Sequence, residues 1–227
     1  LNYKVSEVST DFMSQGPKVD AEKPDAGQND NCHQFAEINC EAAGALYQDV
    51  LTSQTTSLNY WLYHCARSRD SDDDEYGSDK WGYKDRYDTM YLVIMPTETA
   101  EGYTEHEDLI NYLNDKLNGI DTIPVEAKKN TASQEEARII YNQDGLLIAR
   151  ITSNEKDWHY ISSDSITSNF GISKTYTPTS SLTRFFFISG ATAAGNVREN
   201  GKNIGDTIGN LVDGIGFGQQ LPPAEQG

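Results

Sequence analysis

The side chains with the clearest chemical spacing lie in an acidic run, Asp70-x-Asp72-x-Asp74. Carboxylates at positions 1, 3 and 5 of an EF-hand loop converge on calcium. Position 6 of that loop should be Gly and holds Glu75; position 12 should be Glu and holds Trp81. With two defining residues absent, a solvated acidic loop outweighs a cation site, though a weak site stays open. His33, His64, His106 and His159 fall in separate segments. His159 has Ser162 and Asp164 nearby, but a nucleophile, its base and its orienter are recognised by geometry in space, which this order does not supply. No Gly-x-Ser-x-Gly, His-Glu-x-x-His or phosphate-binding loop occurs. Gly214-x-Gly216-x-Gly218 lacks the preceding strand and following helix of a dinucleotide turn. The expectation is a protein without cofactor or catalytic set. An enzyme would need a pocket joining His64 or His159 to carboxylates.

Beside the acidic run stand Tyr76, Trp81, Tyr83 and Tyr87. Such rings supply stacking faces for a sugar or a protein, or else pack a core edge. The three cysteines, Cys32, Cys40 and Cys65, are an odd number, which suggests one disulfide and one leftover thiol. Phe35, Ile38, Leu46, Tyr47, Val50 and Leu51 recur at three and four residues and predict a helix over 31–51. On that helix Cys32 and Cys40 would sit about 12 Å apart, beyond the roughly 7 Å that a disulfide spans. A polar break at 53–57 then precedes a second short helix over 58–67. Folded back, this hairpin brings Cys40 and Cys65 to comparable distances from its turn, so that pair is the expected disulfide. Cys32 is left for a second chain, and three buried reduced thiols are the alternative. Cys32-His33 and His64-Cys65 are adjacent pairs without the spacing that rings a zinc ion, so no metal is expected.

Residues 1–31 read as a flexible arm, carrying Gly16, Pro17, Pro24 and Gly27 among polar side chains. Met90-Tyr91-Leu92-Val93-Ile94-Met95, closed by Pro96, is a buried strand. A helix is predicted over 104–118, with Thr104-x-x-Glu107 as capping box, Leu109, Ile110, Leu113 and Leu117 as its stripe, and Gly119 as its stop. Asn142-Gln143-Asp144-Gly145 between two apolar runs signals a hairpin. Further strands are expected around 158–161, 166–176 and 185–188. The predicted class is α+β: an N-terminal helical hairpin, then a mixed or antiparallel sheet with one packed helix, then a glycine-rich C-terminal segment. The divisions are 1–31, 32–189 and 190–227.

Composition narrows the partners. Eighteen basic against 35 acidic side chains leave a net charge of −17, which disfavours nucleic acid and anionic membranes. No run of about 18 apolar residues is present to form a transmembrane helix. The start at Leu1 rather than Met suggests a processed or trimmed chain. Fourteen Ser/Thr occur among the 34 residues 152–185, a composition suited to an exposed sheet or to the wet face of a barrel that inserts from solution. Gly201, Gly205 and Gly209 recur every fourth residue, a flat stripe for close helix packing, with Ile204, Ile208, Leu211 and Ile215 beside it. Arg198, Glu199, Lys202, Asp206 and Asp213 oppose burial of that segment in a bilayer. A flexible glycine-rich tail is the other interpretation.

The run Ser189-Gly190-Ala191-Thr192-Ala193-Ala194-Gly195, the Gly201/Gly205/Gly209 stripe and Cys32, Cys40 and Cys65 resemble the secreted killer toxins of yeasts. The resemblance covers about a fifth of the chain and brings no catalytic motif. It implies a secreted, acid-favoured protein that self-associates and permeabilises a target membrane, with a surface receptor as partner. The competing expectation is a non-catalytic extracellular module that binds glycan or protein through the aromatic-rich acidic loop.

Overall fold

Strand segments dominate the computed structural model, which describes residues 4–6, 18–19, 34–39, 45–66, 88–125, 134–153, 159–190, 198–199, 202–203 and 209–221. In chain order the first strands are β1 (Lys4–Ser6), β2 (Lys18–Val19), β3 (Gln34–Asn39), β4 (Ala45–Leu51), β5 (Asn59–Ala66) and β6 (Asp88–Pro96). Helices α1 (Thr97–Glu101) and α2 (His106–Leu117) follow. Then come β7 (Glu136–Gln143), β8 (Leu146–Ser153), β9 (His159–Ser162), β10 (Thr167–Ser168) and β11 (Leu182–Ser189). The last are β12 (Arg198–Glu199), β13 (Lys202–Asn203) and β14 (Gly209–Gly218).

A seven-stranded sheet has the order β1-β4-β11-β6-β8-β7-β10 and is antiparallel except for the β10–β7 pair. A five-stranded antiparallel sheet has the order β2-β3-β14-β5-β9, and β12 pairs with β13. The central strands of the large sheet read as unbroken apolar runs because both of their faces are buried. Met90, Leu92, Ile94, Ala149, Phe185 and Phe187 meet Tyr60, Leu62, Ile161 and Val212 of the small sheet. On the other face Tyr91, Val93, Met95, Ile148, Phe186 and Ile188 meet Leu109, Ile110, Leu113 and Leu117 of α2. Small sheet, large sheet and helix pair form three layers.

This two-sheet, β-rich arrangement overturns the expected α+β fold with an N-terminal helical hairpin. The described residues hold only two short helices, and the segments expected to form that hairpin contain β3, β4 and β5. In β4, Leu46 faces the small sheet, while Tyr47 lies on the helix side, 5.4 Å from the Phe186 ring. With Leu46 and Val50 on one face, Tyr47 on the other and Leu51 exposed at the strand's end, the apolar positions of β4 imitate helical spacing. In β5 a period of two is present: Tyr60, Leu62 and His64 are each 1% exposed, and the intervening side chains are half-buried.

Helix α2 lies where expected, and its four stripe residues are buried. Its N-cap is Glu105 with no side-chain capping bond, so the predicted Thr104–Glu107 capping box does not form. Asn118 ends it in the left-handed region at φ 47°. The β7–β8 hairpin turns on Asp144 and Gly145, both at positive φ as a type I′ turn requires. Between 166 and 176, strand geometry is confined to β10 and one bridge, Leu58 with Tyr176.

A buried charge network fastens β4 and β11 to α1. The Arg184 guanidinium, 7% exposed, donates from Nε to Asp49 Oδ1 at 2.7 Å and from one terminal nitrogen to Asp49 Oδ2 at 3.1 Å. The Thr97 hydroxyl donates to the same carboxylate at 3.1 Å, and the guanidinium lies 4.1 Å from the Tyr47 ring centre. Removing Asp49 leaves the buried guanidinium the longer, 3.4 Å contact to the exposed Glu101 carboxylate, a weaker compensation. Asp49→Ala should therefore lower stability by about 3 kcal/mol in urea melts, and Asp49→Leu with Arg184→Met should recover most of that loss.

Candidate functional site

Two features of the small sheet carry the chemistry, one on each face. On the inner side, where the β5–β9 edge approaches β7, β8 and β10, a cleft of about 570 Å³ is lined by His64, Glu135, Glu136, Arg138, Thr152, His159, Ser165 and Thr167. His64 and His159 stand directly opposite each other on neighbouring strands. His159 Nδ1 lies 3.2 Å from Glu135 Oε1. His64 Nε2 lies 2.8 Å from Asn210 Oδ1 of β14, and Asn210 Nδ2 donates to the Thr89 backbone carbonyl at 3.2 Å. Burial pushes His64 down to about 4; the Asn210 bond opposes that fall and the neighbouring His159 adds to it. Burial alone would raise Glu136, but hydrogen bonds from Arg138 and Arg150 outweigh it and hold the carboxyl below its usual range. Arg150 also reaches Asp121 at 2.9 Å, which ties this wall of the cleft to the segment after α2.

The cleft brings His159 to a carboxylate, Glu135, and His64 lines the same space. The candidate set around His159 is nevertheless arranged differently from a nucleophile, base and orienter. Its imidazole faces Glu135, while the Ser162 and Ser165 hydroxyls bond each other at 3.2 Å. Among the described residues, no group of three or more His, Cys, Asp or Glu could hold a metal ion.

The outer face of the small sheet is an aromatic shelf laid on glycine. Trp61 and Tyr63 alternate with the inward Tyr60, Leu62 and His64, and Tyr160 of β9 pairs with Tyr63 at 5.2 Å between ring centres. Trp61 pairs with Gly216, and its indole fills the space that a Cβ on Gly216 would need. The Tyr63 ring lies 2.9 Å from where a Cβ on Gly214 would stand. Gly214 takes φ 55° in the irregularity between Asp213 and Gly216, a conformation for which glycine is suited. Tyr160 is 42% exposed.

The residues singled out in the sequence are distributed as follows. Gly209, Leu211 and Ile215 belong to β14; Leu211 is buried and Ile215 packs against the inter-sheet core. Gly201, Ile204, Gly205 and Ile208 lie outside the described residues, as do Tyr76, Trp81, Tyr83, Tyr87 and the Asp70–Asp74 run. Cys32 and Cys40 also lie outside them, while the Cys65 backbone belongs to β5. The helical hairpin that favoured a Cys40–Cys65 bond is absent, so that geometric argument lapses. The shelf was missed in the sequence although Trp61-x-Tyr63 and Gly214-x-Gly216 each show a period of two.

No family model, curated protein or solved structure matches the chain.

The shelf makes a coupled stability prediction. Gly216→Ala should cost about 2 kcal/mol by forcing the indole off the sheet. In a Trp61→Ala background the same change should cost less than half as much. A double-mutant cycle from denaturant melts measures that coupling.

Proposed function

We propose that this chain is a non-catalytic extracellular binding module whose aromatic shelf stacks against the faces of sugar rings in a glycan. The observation that carries this reading is the placement of Trp61 and Tyr63 over Gly216 and Gly214, with Tyr160 beside them. Apolar rings spread on a sheet offer contact area at small entropic cost, because each ring has two side-chain torsions and the backbone beneath is rigid. Glycine supports this arrangement by admitting each ring close to the backbone. The net charge of −17 favours a neutral or amine-bearing polysaccharide over a sulfated or uronic one. A cell-wall or cell-surface glycan is the corresponding partner, which fits a secreted protein.

The killer-toxin resemblance leads to membrane permeabilisation as the other outcome. In the described residues the last glycine of its stripe begins a sheet strand, and Leu211 is occupied in packing. No described helix is long and apolar enough to cross a membrane, which says nothing of a β-barrel. The geometry therefore favours surface recognition over insertion through a glycine-striped helix.

Retention on insoluble cellulose, chitin and β-1,3-glucan tests the proposal. Wild type should be depleted by at least one of the three. Trp61→Ala and Tyr160→Ala should weaken retention by about 10-fold or more, and Phe170→Ala, which alters a fully exposed ring elsewhere, should leave it unchanged. Tyr160→Ala should also melt within a few degrees of wild type. Failure to bind all three polymers, together with dye release from liposomes between pH 4 and 7.5, would replace this reading with membrane action.

A further inference from the structure

The inner face of the small sheet holds a titratable group whose bonding fixes where a proton must go. Thr89 offers Asn210 a backbone carbonyl, which can only accept. Asn210 Nδ2 must therefore donate to it, which turns Oδ1 toward His64. In the neutral imidazole Nε2 then carries the hydrogen and Nδ1 carries the lone pair. An added proton goes to Nδ1, on a ring only 1% exposed.

The surroundings oppose that proton. His159 of β9 is the direct cross-strand neighbour, at a separation where like charges destabilise a sheet. The carboxylates facing the cleft come from the β7 side, where Glu135 meets His159 and Glu136 is held by Arg138 and Arg150. Asn210 of β14, Thr89 of β6 and Thr152 of β8 contribute no titrating group to this seam. Among the described residues, His64 has no carboxylate bonded to its ring.

We propose that His64 is a built-in acid sensor: protonation at Nδ1 loosens the seam between the small sheet and β6–β8 of the large sheet, while the helix-covered face keeps its packing. The chain His64–Asn210–Thr89 is the device, since it spans β5, β14 and β6 and therefore both sheets. Acidification charges a ring held between a second histidine and an apolar core, and moving β5 away from β6 returns that ring to water. This inference does not depend on glycan binding at the outer face.

The sign follows from a lowered folded-state value. Above pH 6.5 the ring is neutral folded and unfolded, and the contribution is flat. Between pH 6.5 and about 4 the open state takes up the proton first, so opening becomes more favourable as pH falls. The opening equilibrium of the seam should rise by roughly 80-fold across that interval.

Amide hydrogen exchange on the full chain between pH 7.5 and 4, corrected for intrinsic rates, reads this directly. Protection in β5, β9 and β14 should fall with acid while α2 stays protected. His64→Gln keeps a donor toward Asn210 and removes the titrating nitrogen, so it should abolish the acid-dependent part. Loosening from Glu136 protonation would persist in that variant and is separated in this way. Long-range proton–nitrogen spectra of the wild-type imidazoles give a check that needs no variant, expecting the Nε2–H form at pH 7 and a His64 midpoint below 5. Equal acid loosening in His64→Gln, unchanged protection in wild type at pH 4, or a His64 midpoint at 6 or above would each overturn the proposal.

Discussion

A sheet that is apolar on both faces cannot stand alone in water, and this constraint organises the molecule. Strands β6, β8 and β11 present Met90, Leu92, Ala149 and Phe187 on one side and Tyr91, Val93, Ile148 and Phe186 on the other. Each side needs a cover, because buried apolar area is the main favourable contribution to folding. Helix α2 supplies one through Leu109, Ile110, Leu113 and Leu117, and the small sheet supplies the other through Tyr60, Leu62, Ile161 and Val212. A covering sheet needs only one apolar face for that task. Its opposite face carries Trp61, Tyr63 and Tyr160, with Gly216 and Gly214 beneath the first two.

The two polar devices of the fold follow from the same layering. On the helix side Arg184 and Asp49 bury a charge pair that fixes how β4, β11 and α1 meet. On the small-sheet side the contact is completed by neutral bonds, His64 to Asn210 to the Thr89 carbonyl. A charge pair and a neutral chain respond differently to acid. The pair contains a carboxylate that can lose charge, whereas the chain contains an imidazole that can gain it. The Ser/Thr-rich stretch also has a structural role in its described part. Thr52 bonds the Ser180 carbonyl and the Thr183 hydroxyl, and Asn142 bonds the Ser173 and Thr175 carbonyls, pinning the stretch before β11 to β7 and to the end of β4.

Much of the large sheet was legible in the sequence. Met90 to Met95, the Asp144-Gly145 turn and the stripe of α2 each follow from local pattern, because each is settled by neighbours within a dozen residues. The N-terminal strands were not legible for a definite reason: β4 packs Leu46 and Val50 on one face and Tyr47 on the other and ends in an exposed Leu51, and these apolar positions also suit a helix. The glycine stripe was ambiguous for a geometric reason. A spacing of four is about one helical turn and also two full periods of a strand. Only pairing with β3 and β5, more than 140 residues earlier in the chain, makes Gly209 to Gly218 a strand. The aromatic shelf has the same character. Trp61 and Gly216 are meaningful together and uninformative apart, so its two halves were visible while their meeting was not.

The central claim is that the small sheet uses its outer face for recognition while its inner face closes the core. Backbone and indole resonances followed during titration with soluble oligosaccharides of glucose and of N-acetylglucosamine test it most directly. The account predicts shifts concentrated at Trp61, Tyr63, Tyr160, Gly214 and Gly216, with α2 and the central strands of the large sheet unmoved. Shifts confined to the His64–His159 cleft, or none at millimolar oligosaccharide of either class, would contradict it.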